Sequence, residues 1–496
     1  MLSPRPRKAC ALLSAAALAA TGAVVAVAGS ASAEPPAFTM NVIDDAATGA
    51  AFTTTGDVLG DNRPELVTTS YGQYTVVNGQ PILEPGTVTI LKNKDPRFGG
   101  GVTNWEKIPV VTKDDNIIFP SEPELADVDR DGDIDIIQPG GFFWDSGVGL
   151  QRGSITWWEN RETPRSLAEL AAFTKCLLRN KTWTAIEACV ADLQKFERHD
   201  IVTNSPNSYH NLEFVDFDGD RKKDIVTVGE QGFQAPDITD DVVTMEFYKG
   251  DGRGNFAAPV VIANRGGSNP QVEDVDGDGD LDVISAQYFG VSPVVLGPPT
   301  GEASFIWLER TGSAADGVGA SDFTLREIAR GQGPSYAIEK MENLFGDGVD
   351  RWVATNHTNT NPANPGPPVF LRAKENIFLL TPGADVRAPW AVTPLATTVI
   401  DPFSSNNRPG QAAPGKFSAG DLDGDGDKDV VVSGDGAFRA YWLEQTAPGA
   451  FTQRVLPGTE GWGQAGGAEI VDLNKDGKNE VPFSSFEVNK IGIVTR

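Results

Sequence analysis

Five short segments of the chain place carboxylates at alternate positions of a tight turn, a spacing that gathers oxygen ligands around a hard cation. They are DVDRDGDIDI from Asp127, DFDGDRKKDI from Asp216, DVDGDGDLDV from Asp274, DLDGDGDKDV from Asp421 and DLNKDGKNEV from Asp472. In the third, Asp274, Asp276 and Asp278 can converge, Gly279 supplies left-handed backbone, and Asp282 closes the site from the next strand. The seventh position, Asp280, offers its backbone carbonyl. Four carboxylates so close repel one another unless protonated or neutralised, and near pH 7 a cation is the available remedy. Calcium suits the set better than magnesium because it accepts roughly six to eight oxygens in flexible geometry.

The same spacing assigns Asp127, Asp129, Asp131, Asp133 and Asp135 to one site and Asp216, Asp218, Asp220, Lys222 and Asp224 to another. Asp421, Asp423, Asp425, Asp427 and Asp429 form a further set, as do Asp472, Asn474, Asp476, Lys478 and Glu480. Lys222 and Lys478 hold the seventh position, where only a carbonyl is needed. About five structural calcium ions are expected. A helical calcium loop would need glutamate at its twelfth position, where Gln138, Thr227, Ser285 and Val432 stand instead. One such turn alone would read as a solvated acidic loop; five with one spacing favour metal. Arg221 replaces the expected glycine in the second segment.

Two worn copies raise the number of repeats to seven: DVLGDNRPEL from Asp57 and NLFGDGVDRW from Asn343. Leu59 and Phe345 stand at carboxylate positions and Arg351 replaces the last acid, so both are expected to be metal-free. A strand-like run follows every turn, from GTVTILKN at Gly86 to NKIGIVTR at Asn489. A second family, an aromatic followed four or five residues later by an aliphatic, recurs six times, from WEKIPV at Trp105 to FTQRVL at Phe451. The seventh copy, FTMNVI from Phe38, stands at the other end of the chain. The amino-terminal strand is therefore expected to complete the last repeat and close a ring, which spares every sheet an exposed apolar face.

The acidic turns resemble the FG-GAP or VCBS repeats of integrin-α-like propellers, over essentially all of residues 38–496. The resemblance implies an all-β, seven-bladed propeller of four-stranded antiparallel blades, with each metal loop joining the first and second strands. Blade starts are expected near residues 50, 122, 210, 269, 335, 415 and 467. Residues 161–195 interrupt blade two with helical apolar spacing, read as a helical hairpin joined by a Cys176–Cys189 disulfide, although two free buried thiols remain the other reading.

Residues 1–33 combine Arg5, Arg7 and Lys8, an apolar run and small residues before Glu34, the pattern of a cleaved export signal rather than a membrane anchor. The propeller would then be residues 34–496 of a secreted protein. Loss of those three cations takes the formal charge from −27 to −30, which argues against nucleic acid and anionic membranes as partners. A monomer is expected.

Strand alternation puts the acidic turns on one face and the long second-to-third-strand loops on the other. Those loops carry Tyr71, Trp144, Tyr288 and, on a blade-to-blade connection, Trp462 among polar residues, a mixture suited to stacking on sugars, though half or more of such aromatics merely pack loops. His210 and His357 fall near the axial mouth and are the catalytic candidates, with Tyr209, Tyr336 or Arg408 beside them and Glu122 or Glu230 as possible co-ligands. The leading expectation is an extracellular carbohydrate ligand; a lyase, dehydratase or hydrolase acting on carbohydrate, and a protein-recognition scaffold, stay open. Repeated Trp157, Trp307 and Trp442, with Glu159, Glu309 and Glu444, read as architecture, and His199 as a strand residue.

Overall fold

Runs of Val, Ile, Thr and aromatic residues flank each acidic turn, and each run pairs with its neighbours as a strand. The computed structural model describes residues 37–77, 80–94, 104–141, 153–161, 167–179, 195–231, 243–267, 269–287, 303–312, 317–333, 335–356, 376–403, 413–435, 437–463 and 465–496. Seven antiparallel sheets result, one per turn.

Blade one comprises Ala50–Gly56, Glu65–Ser70, Thr87–Asn93 and Trp105–Val111. Blade two is Glu124–Ala126, Asp135–Gly140, Gly153–Arg161 and Lys195–Ser205. Blade three is Ser208–Val215, Asp224–Glu230, Val243–Tyr248 and Val260–Ala263. Pro270–Glu273, Asp282–Ala286, Ala303–Arg310 and Phe323–Arg330 make blade four. Ser335–Met341, Arg351–Asn356, Ile377–Thr381 and Ala391–Pro394 make blade five. Blade six is Ala413–Gly420, Asp429–Asp435, Tyr441–Ala447 and Ala450–Val455. Blade seven takes Ala465–Gly467, Val481–Ser485 and Lys490–Thr495 from the end of the chain and Thr39–Asp44 from its start.

The ring closes through that last pairing, in which Thr39, Met40 and Asn41 face Thr495, Val494 and Ile493. Phe38 anchors it, 7 % exposed and edge-on to Trp442 of blade six with ring centroids 5.3 Å apart. Among the described residues, seven apolar clusters fill the seven gaps between neighbouring blades. The largest fully buried side chains, Trp307 and Trp442, belong to two of them. Each sheet thus hides both faces only because it has a neighbour on each side.

Two segments between the blade strands also form strands. Ala396–Val399 adds a fifth strand to blade six, parallel to Ala450–Val455, and so covers an outer edge that would otherwise present unpaired backbone groups. Tyr74–Val77 and Gln80–Leu83 form a small ladder of their own within blade one. Of the insertion in blade two, the helix Leu167–Arg179 is described; it carries Cys176, while Cys189 lies outside the described residues.

Candidate metal centres and the axial carboxylates

Every acidic turn joins the first and second strands of its blade, and its carboxylates build it by accepting backbone amides. In blade four Asp274 accepts from Gly277 at 2.8 Å and Gly279 at 3.1 Å, Asp276 from Asp278 at 3.2 Å, and Asp278 from Asp280 at 3.0 Å. Gly279 has φ 97°, the left-handed backbone expected of it. Arg221 holds the equivalent place in blade three at φ 69°, a conformation that costs a non-glycine residue roughly 1–2 kcal/mol.

The last acid is buried beneath the turn. Asp282 accepts from Val275 at 3.0 Å and from Arg310 of the third strand at 2.7 Å. Asp135, Asp224 and Asp429 are held by the corresponding amides of Val128 and Asn160, Phe217 and Gly250, and Leu422 and Gln445. Burial pushes Asp135, Asp282 and Asp429 up to about 7 and Asp224 up to about 6, against the pull of those amides. Glu480 and Glu65 rise to about 7 for the same reason.

What these turns can do chemically follows from their convergence. One oxygen each from Asp127, Asp129 and Asp135 lies within 4.8 Å of the others, as do those of Asp216, Asp218 and Asp224, and of Asp274, Asp276 and Asp282. Such clusters are able to hold a metal ion, and an all-oxygen set fits a hard one. The worn turn of blade one also gathers Asp57, Asp61 and Glu65, with Lys92 at 3.1 Å from Asp61. In blade five Arg351 Nη2 lies 2.6 Å from Asp347, a built-in cation where a last acid would stand. The recurring third-strand glutamate is more than architecture, since Glu159 joins Asp129 and Asp131 in a cluster of its own. Its signal in the sequence was the recurrence itself. His199 sits opposite Trp157 in the strand pairing, stacked on it at 4.2 Å, with Nε2 2.9 Å from Glu159.

A second group of acids, of which only Glu122 was singled out in the sequence, lies elsewhere in the ring. First strands border the axis, since side chains from non-adjacent blades meet there: Lys416 of blade six lies 2.9 Å from Glu122 of blade two and 3.8 Å from Glu339 of blade five. Glu124, Glu213, Gln271, Glu339 and Ser418 share one register, opposite Ile137, Val226, Ile284, Val353 and Val431. Glu469 of blade seven accepts the Thr55 amide at 3.0 Å. Burial first, and neighbouring carboxylates after it, push Glu339 up to about 6, Glu124 and Glu469 to about 7, and Glu213 to about 8. Burial works against the charge of Lys416, yet Glu122 and Glu339 hold it above its usual value. Alternating polar residues on a strand look solvent-facing in sequence; only ring closure turns them toward one another.

Of the residues expected to bind ligand or react, His210 lies at the end of its strand farthest from the acidic turn, with Nδ1 3.0 Å from the buried Glu230. Tyr209 does not face an opening. It is 2 % exposed, its hydroxyl donates to Glu246 at 3.2 Å, and burial followed by the Glu246 charge pushes it up to about 12. Trp462 is likewise buried between blades six and seven. Tyr71 is half-buried and stacks on Phe119 with centroids 3.3 Å apart, and Tyr336 packs against the cluster between blades five and six. These four aromatics pack the scaffold, as apolar surface at a ring of sheets must. Trp144, Tyr288, His357 and Arg408 lie outside the described residues.

Among solved structures, a crystal of BBS1N in complex with ARL6DN, soaked with lead, aligns at TM-score 0.41 and 9 % identity over 92 % of this chain and 96 % of that one. The mercury-soaked crystal aligns at 0.41 and 8 % over 93 % and 96 %. No curated protein matches the chain by sequence. The family model of the FG-GAP-like repeat matches twice, at residues 216–285 and 421–481, each span running from one acidic turn through the next, with the strands between them. The protein is a seven-bladed β-propeller carrying FG-GAP-like repeats.

Proposed function

We propose that the protein is a secreted, calcium-stabilised binding module that takes an extracellular ligand, carbohydrate in the first instance, on the face opposite its acidic turns. The observation that carries the calcium part is the meeting of three carboxylate oxygens within 4.8 Å at the same place in successive blades. Each cluster contains a last acid whose burial disfavours its charge, and a divalent ion supplies the compensation that solvent does not. Because each turn ties the first two strands of its blade, bound ions would contribute directly to folding stability. The carbohydrate part is supported by the composition of the second-to-third-strand loops, rich in aromatic and polar residues.

Melting with calcium and with excess chelator tests the first part: a drop of many degrees on chelation is expected, and superimposable melts defeat it. A polysaccharide binding screen tests the second, and saturable binding without turnover is the expected result. The contact between His210 and Glu230 favours one alternative, carbohydrate chemistry at the axial mouth. In that case polysaccharide would be consumed, and His210→Ala would abolish turnover while leaving the melt intact.

A further inference from the structure

Four blades mark one register position by the same hydrogen bond, an amide in or just beyond the third strand that donates to the last acid. It comes from Asn160 at 2.8 Å, Gly250 at 2.8 Å, Arg310 at 2.7 Å and Gln445 at 2.9 Å. The preceding residue is Glu159, Glu309 or Glu444 in blades two, four and six. In blade three it is Lys249. Its ammonium pairs with Asp218 and lies 2.9 Å from Asp220, which Lys222 also contacts at 3.1 Å.

We propose that Lys249 leaves the turn of blade three without metal, its ammonium standing among Asp216, Asp218, Asp220 and Asp224 where a divalent ion would otherwise be needed. The inference rests on the calcium reading of the other turns and changes its count from about five ions to about four. Charge bookkeeping supports it. In blade three Lys249 and Lys222 pair with Asp218 and Asp220, and the turn's sequence adds Arg221 and Lys223, so four cations match the four carboxylates by formal count. Blade four sets Asp274, Asp276, Asp278, Asp280, Asp282 and Glu309 against Arg387, which pairs with Asp276 and Glu309, and Arg326, which pairs with Glu309. A large negative excess remains there. A tethered cation is present at high effective concentration and repels an incoming ion, so an ion entering blade three must first displace it. Blades one and five follow the same rule, through Lys92 on Asp61 and Arg351 on Asp347.

Native mass spectrometry of the intact protein in calcium counts the ions directly, with isothermal titration as a check. Wild type is expected to bind four, Lys249→Glu five and Glu444→Lys three. Five ions on wild type, or no additional ion on a folded Lys249→Glu, overturns the inference while leaving the calcium reading standing. No ion on wild type defeats the calcium reading itself, and the inference with it. The wild-type count decides even where a variant fails to fold.

Discussion

The Asn160 side chain of blade two donates to the Val58 carbonyl oxygen of the blade-one turn at 2.7 Å. Arg310 of blade four does the same to Phe217 of blade three at 2.6 Å, and Gln445 of blade six to Leu344 of blade five at 3.0 Å. All three donors follow the third-strand glutamate, and all three acceptors are the second residue of a turn. Polar ties of this kind fix each turn against the neighbouring sheet. Because the groups are buried, losing the donor strands the carbonyl. Asn160→Ala and Gln445→Ala are each expected to cost about 1–3 kcal/mol, read as a lower urea midpoint with an unchanged slope. An unmoved midpoint in both variants contradicts the tie.

Closure by the amino-terminal strand makes a separate prediction. Phe38→Ala removes a buried ring from the Trp442 contact and should destabilise by about 3–5 kcal/mol. Deleting residues 37–44 leaves Lys490–Thr495 as an unpaired edge and should promote association. Light scattering of the truncated protein that matches wild type would count against this.

Asp282 is expected to behave oppositely with and without calcium. In calcium, Asp282→Asn should lose one ion and melt several degrees lower. In chelator at pH 8 the substitution should be neutral or stabilising, since burial makes the charged carboxylate unfavourable there. A variant that melts lower by the same amount in both conditions would assign Asp282 a purely structural role.

The axial acids predict a pH dependence. Burial first, then Glu124, raises Glu213 from 4.5 to about 8. An acid whose folded value is raised keeps its proton longer when folded, so the fold loses stability as pH climbs from 4.5 to about 8, and loses nothing further below that window. Glu213→Gln removes the loss. It should gain on the order of 1–2 kcal/mol at pH 8, where the partial exposure of Glu213 lets solvent screen its charge, and nothing at about pH 4. Urea midpoints of the two proteins at both values check this; a gain of equal size at both would refute the electrostatic cause.

The sequence by itself determined the number of blades, the strand that seals the ring and the residues of every acidic turn. Those properties are local, written in two-residue alternation and in carboxylates a few positions apart, and they repeat often enough to be recognised. Tertiary structure alone decided which groups from distant parts of the chain meet. Lys416 finds Glu122 across the axis, Lys249 enters a turn some 30 residues earlier in the chain, and Tyr209 and Trp462 are swallowed by the gaps between sheets. The physical reason is that a strand's sequence says which residues share a face, whereas what lies opposite that face depends on how seven sheets wrap around one axis.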